Sequence, residues 1–209
     1  FSKAVLMAFM SVSAFSTAPL AADFDFTLMG KEKELQAAVS AVSKLTDGAL
    51  NVGVGKNSKS IFEGLKDISV HTVTGIHPAG NVGTLINKLD PVNKGEVVWT
   101  ISPQDLVVIG ELLLTGKFNA ERIVALSGSS VKNPKYYTTK IGSEVSTILY
   151  TSGLKEEHVR IIDGNVLSGN KITPKGHLGY YANTVTVIPE GDDYEFFGWN
   201  KPIFNKLSV

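Results

Sequence analysis

The spacing of apolar residues in the first half of the chain switches between two periods. Residues 31–45 place Leu35, Ala38, Val39 and Val42 at helical spacing between lysines and glutamates. Short apolar runs of the kind that form strands stand between such helical segments. The predicted strands are 50–54, 68–73 and 97–101, and the predicted helices are 31–45, 58–65, 85–88 and 102–116. This alternation predicts an open sheet with helices on its faces.

The helix predicted at 102–116 is apolar almost all round. Ser102 occupies the capping position and Pro103 the first helical position, which is the usual order at a helix start. Gly116 provides the stop. Because apolar residues cover most of its circumference, we expect this helix to be well buried.

The pattern changes near residue 119. Strands, a short helix and turn regions now follow one another without the earlier βα alternation. The predicted strands are 122–126, 136–140, 159–162 and 184–188, the helix is 142–149, and the turn regions are 128–134 and 166–169. About 70 residues of this α+β pattern are enough for a second domain. We therefore divide the chain into an α/β domain at 1–118 and an α+β domain at 119–191.

The first residues allow two interpretations. Lys3, the apolar stretch 5–10 and the small residues at 18–22 have the order of a signal peptide. The same stretch also fits a strand that is apolar on both faces and opens an α/β unit. The strand is favoured, because the chain begins with Phe1 and a predicted helix follows at 31–45. The stretch is too short to span a membrane.

Composition excludes several function classes. The 20 basic and 20 acidic residues cancel, so no nucleic-acid partner is expected. The chain has no cysteine, which rules out disulfides, thiolate nucleophiles and cysteine-ligated iron–sulfur clusters within it. Its four histidines form no metal-binding pattern, so we predict no metal site.

Two glycine motifs precede predicted helices. Gly53 and Gly55 resemble the start of a dinucleotide fingerprint, but Ser58 stands where its third glycine would be, and a tight βα turn is the favoured interpretation. Gly80 and Gly83 leave backbone N–H groups free at a helix start, where they can bind an anion or a polar head group.

The second motif supplies the candidate ligand-binding residues. They are His77, Gly80, Gly83 and Thr84. His77 can donate a proton or a hydrogen bond to a ligand oxygen. The competing interpretation is structural: Pro78 stiffens the loop, the glycines permit close packing, and His77 is hydrogen-bonded within the protein.

No catalytic constellation is present. Asp90 and Asn93 supply too few oxygens for a sodium site. A Gly-x-Ser-x-Gly elbow is absent, and no nucleophile can be paired with a base. We predict no catalytic residue.

Several segments, taken in order, resemble one protein family. They are 17–24 (TAPLAADF), 75–84 (GIHPAGNVGT), 89–93 (LDPVN) with Val98-Trp99, 126–134 (LSGSSVKNP), 164–169 (GNVLSG) and 197–199 (FGW). Together they resemble the A subunit of the Na+-translocating NADH:quinone reductase over nearly the whole chain.

The resemblance implies a Rossmann-like domain followed by a β-grasp domain of the soluble-ligand-binding type, with 192–209 starting a further C-terminal region. It also marks Asp90, Pro91, Gly128, Lys132, Asn133 and Pro134 as inter-domain or structural motif residues. The plan is similar to the flavin-binding subunit of respiratory complex I, but the full flavin loop is not matched. We therefore expect no cofactor bound by this chain.

The resemblance further implies a role in a complex. The chain would be part of a peripheral subunit on the cytoplasmic face of the bacterial inner membrane, beside membrane subunits and associated with quinone. Ubiquinone or menaquinone would be the substrate of the complex, and another subunit would oxidise NADH. The alternative is a stand-alone flavin- or nucleotide-binding protein, and a secreted binding domain would follow from a true signal peptide.

Overall fold

The computed structural model describes residues 9–46, 48, 50–191 and 196–197. In that part of the chain, helices pack against a parallel sheet and a second, mixed sheet. The predicted succession of an α/β sheet and a second sheet of α+β character is confirmed at this level.

The first sheet has four parallel strands in the order β3-β2-β1-β4. They are β1 (Phe9–Ser13), β2 (Leu50–Gly55), β3 (Ser69–Val73) and β4 (Val98–Thr100). Phe9, Met10 and Val12 of β1 are buried, as is typical of a parallel strand covered on both faces. The strand interpretation of the amino terminus is thus confirmed over Phe9–Ser13, while residues 1–8 lie outside the described residues.

Four α-helices accompany this sheet. They are α1 (Phe24–Thr27), α2 (Glu32–Val42), α3 (Val82–Leu89) and α4 (Pro103–Thr115), with single 3-10 turns at Ser43–Leu45 and Ile61–Gly64. The short α1 has no helical periodicity to predict it, but Asp23 caps it by accepting from Asp25 N–H at 2.9 Å. Helix α3 starts at Val82, three residues before its predicted start.

Helices α2 and α4 touch most closely at Gly110. A Cβ atom there would lie 1.8 Å from the Glu34 carbonyl oxygen, so only glycine allows the two backbones to meet. Leu106, one turn earlier in α4, is fully buried in the core with Leu35 and Val39 of α2.

The expectation that α4 is well buried is wrong for its last turn. Leu112, Leu113 and Leu114 are 41%, 55% and 57% exposed. Gly110 of α4 contacts the first turn of α2 at Glu34. The residues of α4 from Leu112 onward therefore extend past the end of α2 and are exposed. Apolar composition predicted burial, but the crossing point of the helices decides how far burial continues.

The second sheet has five strands in the order β6-β5-β9-β7-β8. They are β5 (Glu121–Ser127), β6 (Lys135–Lys140), β7 (Val159–Asp163), β8 (Asn170–Ile172) and β9 (Thr184–Pro189). Only the β5–β9 pair is parallel among them. Helix α5 (Ser146–Ser152) packs Ile148 and Leu149 against the buried valines of β5 and β9.

Two features of this second sheet differ from prediction. Strand β8 has no counterpart among the predicted strands, because it has three residues, one of them apolar, and pairs only with β7 at the sheet edge. Helix α5 begins at Ser146 rather than 142. The predicted C-terminal region at 192–209 lies outside the described residues except for 196–197.

A bilayer-spanning helix would have to be longer and more apolar than any helix formed by the described residues.

Substituting Gly110 tests the helix crossing. Gly110→Ala should lower the free energy of unfolding by about 2 kcal/mol or more, because the new Cβ must push α2 and α4 apart. Gly64→Ala is the matched control, since nothing lies within 4 Å of its Cβ, and it should change stability by less than about 0.5 kcal/mol. Urea denaturation measures both, and equal midpoints for the two variants would contradict the close crossing.

Candidate functional site

A cleft of about 1170 Å³ lies between the two sheets. Its lining includes Ser13 at the end of β1, Thr100 and Ile101 at the end of β4, Thr184 at the start of β9, and Tyr180 from the turn before it. Strands β2 and β3 extend to one side of β1, and β4 lies on the other. Ligands of open α/β sheets bind outside the carboxyl ends of the strands at this reversal of strand order. The cleft occupies that position.

Gly80 builds the floor of the cleft. Its carbonyl oxygen accepts from Ser13 Oγ at 2.7 Å, and its N–H donates to Thr17 Oγ1 at 2.9 Å. A Cβ atom at this position would lie 2.5 Å from the Thr17 backbone nitrogen. The loop before α3 is therefore held directly against the loop after β1, and no side chain fits between them.

Two helices start at the cleft. Asn81 and Gly83 at the start of α3 line it, and the Asn81 side chain makes no capping hydrogen bond. Ser102 and Pro103 at the start of α4 line it as well, but Ser102 Oγ accepts from Asp105 N–H at 3.2 Å. Thr84 N–H already donates to the Asn81 carbonyl at 2.9 Å, so the backbone donors that the first turn of α3 presents are those of Val82 and Gly83.

Asp105 is the one charged side chain among the described residues that line the cleft. It accepts from Ser102 Oγ at 2.6 Å and forms an ion pair with Arg122 of β5. The Arg122 side chain is only 2% exposed. Because Arg122 neutralises Asp105 from behind the wall, the cleft offers a ligand little net charge.

Large aromatic and apolar side chains form the mouth of the cleft. They are Trp99, Leu112, Phe118, Tyr180 and Tyr181, and all are exposed. Soluble proteins rarely leave such groups together at a surface without a binding partner. The cleft therefore joins an apolar mouth to a floor of backbone donors and hydroxyl groups.

The wall from the second sheet is organised by Asp163 and Asn165. Asn165 Oδ1 accepts from the N–H groups of Leu167 and Ser168, which closes a turn beside the cleft. Asp163 Oδ2 accepts from Gly179 N–H at 3.0 Å, and its Oδ1 has no partner among the described residues. Burial raises the pKa of the Asp163 carboxyl, and the hydrogen bond from Gly179 opposes that rise.

Contacts on two sides of the cleft hold the sheets together. On one side, the Gln104 amide pairs with both backbone groups of Ile123, at 2.9 and 3.1 Å, next to the Arg122–Asp105 ion pair. On the other side, direct hydrogen bonds join the segment before α1 to the second sheet. They are Ala22 N–H to Thr184 Oγ1, Asp23 N–H to Tyr136 Oη and Ser127 Oγ to the Leu20 carbonyl.

The structure places two of the four predicted ligand-binding residues in the cleft. Gly80 and Gly83 line it. His77 Nδ1 lies 3.3 Å from Thr17 Oγ1, and because Oγ1 accepts from Gly80 N–H, its proton is available to His77. His77 and Thr84 are half-buried and are not among the described lining residues, so a ligand-binding role for these two stays a prediction.

The six predicted motif residues fall into two groups. Asp90 and Pro91 are exposed after α3, and an inter-domain role for them stays a prediction. The other four hold the β5–β6 connection within the second sheet. Gly128 at φ +119° packs on Val187, Lys132 N–H donates to the Gly153 carbonyl, Asn133 exchanges hydrogen bonds with Ser152, and Pro134 precedes β6.

The tight turn predicted at Gly53 and Gly55 is present only at Gly55, whose carbonyl oxygen accepts from Ser58 N–H at 3.0 Å. Both glycines lie in strand β2 and neither is among the described lining residues. A Cβ at Gly53 would lie 2.8 Å from Leu85 Cδ2, so this glycine makes room for α3.

Sequence reasoning missed the charged pair and the aromatic mouth. The available signal for a buried ion pair was an arginine at the start of the predicted strand 122–126, whose other residues are all apolar. Tyr180 and Tyr181 lie between predicted elements and carry no local motif.

No three His, Asp or Glu side chains of the described chain cluster as a metal site would require.

Removing one member of the buried ion pair should be costly. Asp105→Asn leaves the buried Arg122 guanidinium without an anion and should lower the free energy of unfolding by about 3 kcal/mol. Glu34→Gln at the more exposed Lys31–Glu34 pair is the control, with an expected loss below about 1 kcal/mol. If urea denaturation gave equal losses of stability for Asp105→Asn and Glu34→Gln, burial of Arg122 would not strengthen its ion pair with Asp105.

The Asp163 carboxyl should give stability a recognisable pH dependence. The pKa of the Asp163 carboxyl is raised above 3.8 in the folded chain. Its contribution to the free energy of unfolding is therefore complete below about pH 3.8 and is lost as pH rises through the folded-state pKa. Asp163→Asn does not titrate and should lose less stability than the parent chain as pH rises from about 3 to about 7. Free energies of unfolding measured at intervals across this range test the difference, and parallel profiles would contradict it.

Known proteins match this chain in sequence and in fold. The model of the NqrA second alpha/beta domain matches residues 7–118, and the model of the NQRA C-terminal domain matches 123–173. Two relatives are the A subunits of the Na(+)-translocating NADH-quinone reductases of Rhodopirellula baltica, 36% identical over 199 residues, and of Neisseria meningitidis serogroup B, 38% identical over 201 residues. Each alignment covers 95% of this chain and 44% of the relative.

Two solved structures of an NAD+-reducing [NiFe]-hydrogenase share the fold. In the H2-reduced state, the match has a TM-score of 0.65 at 14% identity and covers 88% of this chain and 40% of the other. In the air-oxidised state, it has the same TM-score and identity and covers 90% and 41%. At this identity the likeness concerns the fold alone.

This chain spans less than half the length of the curated relatives it matches. The first domain model nevertheless covers more than half of its 209 residues, in agreement with the segments that carry the resemblance. The chain belongs to the NqrA family.

Proposed function

We propose that this chain serves in the NqrA subunit of a sodium-pumping NADH:quinone oxidoreductase, where it contributes to the quinone site and to assembly of the complex. The names of the relatives and the order of the two domain matches support this role. Its partners would be the other subunits, including those in the membrane, and its place the cytoplasmic face of the bacterial inner membrane. Catalysis would belong to the complex rather than to this chain alone.

Within that proposal, the two sheets are a Rossmann-like domain at 1–118 and a soluble-ligand-binding β-grasp domain at 119–191. The strand order β3-β2-β1-β4 supports the first assignment, because it is the order at one end of a doubly wound sheet. The mixed sheet with one helix against it supports the second.

The near-neutral character of the cleft is the observation that carries the quinone assignment. A quinone is a planar, uncharged ring with two carbonyl acceptors and, in the membrane forms, an apolar tail. The uncapped first turn of α3 offers N–H donors to a carbonyl oxygen. Leu112 and Phe118 at the mouth offer an apolar surface to a tail.

The same observation disfavours a nucleotide. No lysine or arginine is among the described lining residues, and the arginine behind them is engaged by Asp105. Gly53 and Gly55, the candidates for a phosphate cradle, lie in β2. The alternative is a stand-alone flavin- or nucleotide-binding protein. No cationic side chain among the described lining residues supports it.

Photolabelling tests the proposal in the assembled complex. A photoreactive ubiquinone analogue should label peptides that contain 80–83 or 180–184, and excess ubiquinone should prevent the labelling. Gly83→Trp should place a bulky side chain in open space at the cleft and raise the KM for quinone about tenfold, since nothing lies within 4 Å of its Cβ. Gly64→Trp is the control, because Gly64 has equal space but is not among the described lining residues.

Two outcomes would overturn this assignment. Labelling confined to the membrane subunits, with an unchanged KM in Gly83→Trp, would remove the quinone site from this chain. Binding of FMN or NADH by this chain with a Kd below about 10 μM would favour the nucleotide-binding alternative.

A further inference from the structure

Tyr180 and Tyr181 form an aromatic pair at the cleft. Both side chains line it and are 52% and 73% exposed. Their ring centroids lie 4.9 Å apart at an interplanar angle of 75°, an edge-to-face arrangement. Two large rings on one turn therefore face the cleft instead of packing in the core of the second sheet.

The turn that carries the two tyrosines is anchored at both ends. Before the pair, Gly179 N–H donates to Asp163 Oδ2 at 3.0 Å, and a Cβ at Gly179 would lie 2.6 Å from that oxygen. Across the pair, Ala182 N–H donates to the Gly179 carbonyl at 3.1 Å. The next strand begins at Thr184, which is buried and bonded to Ala22 N–H. The tyrosines are thus exposed on a fixed backbone.

The Tyr180 ring also contacts the guanidinium group of Arg122. The guanidinium carbon of Arg122 lies 6.0 Å from the ring centroid, within the range of a cation–π contact. Arg122 is buried, and its Nε and Nη1 groups have no hydrogen-bond partner among the described residues. Because Asp105 holds this cation in place, the ring has a rigid neighbour on the protein side.

The opposite side of the same cleft carries Trp99 and Phe118, which are 49% and 58% exposed. Trp99 belongs to β4 of the first sheet, and Phe118 belongs to the segment after α4. A planar ligand that accepts hydrogen bonds from the start of α3 would lie between these groups and the tyrosine turn. Aromatic side chains bind such ligands by stacking, which demands a flat ring rather than a particular set of polar groups.

We propose that Tyr180 and Tyr181 form an aromatic clamp that stacks on the ring of a planar quinone in the cleft. The proposal rests on the quinone site proposed above and names the side chains that would select a flat ring there. The tyrosine hydroxyls are not required for stacking, so the aromatic ring is the property that matters.

Substitutions in the assembled complex test the clamp, with the photoreactive ubiquinone analogue as the probe. The probe concentration that gives half-maximal labelling of the 80–83 peptide should rise about tenfold in Tyr180→Leu and in Tyr181→Leu. Tyr180→Phe and Tyr181→Phe should stay within about twofold of the parent. Tyr150→Leu is the matched control, because Tyr150 is 92% exposed on α5 and is not a described lining residue, and it should have no effect.

The outcomes separate this clamp from the site on which it rests. If the parent complex is labelled at 80–83 and the leucine variants are labelled at unchanged probe concentrations, the clamp is wrong and the quinone site stands. If the parent is not labelled there at all, the quinone site fails and the clamp fails with it. If the leucine variants lose other subunits while labelling of the remaining complex is unchanged, the tyrosine turn is a contact between subunits, which also overturns the clamp. Circular dichroism melts check that each variant is folded.

Discussion

The ion pair between Arg122 and Asp105 is the interaction on which the candidate site depends. Arg122 stands on the first strand of the second sheet and Asp105 in the first turn of α4. A buried guanidinium has lost its hydration, so removing the anion beside it is costly. Asp105, itself fixed by the Ser102 hydroxyl, supplies that anion to one nitrogen of Arg122 and aligns the two sheets across the cleft, while Nε and Nη1 have no partner among the described residues.

This pairing also sets the electrostatic character of the cleft. Without Arg122, the Asp105 carboxylate would be an uncompensated charge in the wall. With it, the surface that a ligand meets consists of backbone donors, hydroxyl and amide groups, and aromatic rings. An uncharged ring with carbonyl acceptors suits such a surface better than a phosphate does, because no cationic side chain faces a ligand among the described lining residues.

Local patterns predicted most strands and helices, since β1, β2 and α2 have apolar periods that match their burial. The pattern failed where tertiary contacts decide. Leu112 to Leu114 are exposed because α4 crosses α2 at Gly110, and β8 is too short to show alternation. Of the candidate site, the sequence indicated the loop at Gly80 and Gly83, because a helix start has a local signature. It could not indicate that Tyr180 and Trp99 share a cleft, since only the docking of the two sheets brings them together.

The contacts on both sides of the cleft have a consequence for the kinetics of any ligand that binds there. Gln104 and Arg122 hold one side, and the hydrogen bonds of Ala22, Asp23 and Ser127 hold the other. Hinge closure around a ligand would have to break one of these sets, so the two walls cannot act as a lid. Association would then proceed by diffusion into a standing opening, and the residence time would be set by the strength of the contacts inside rather than by a conformational gate.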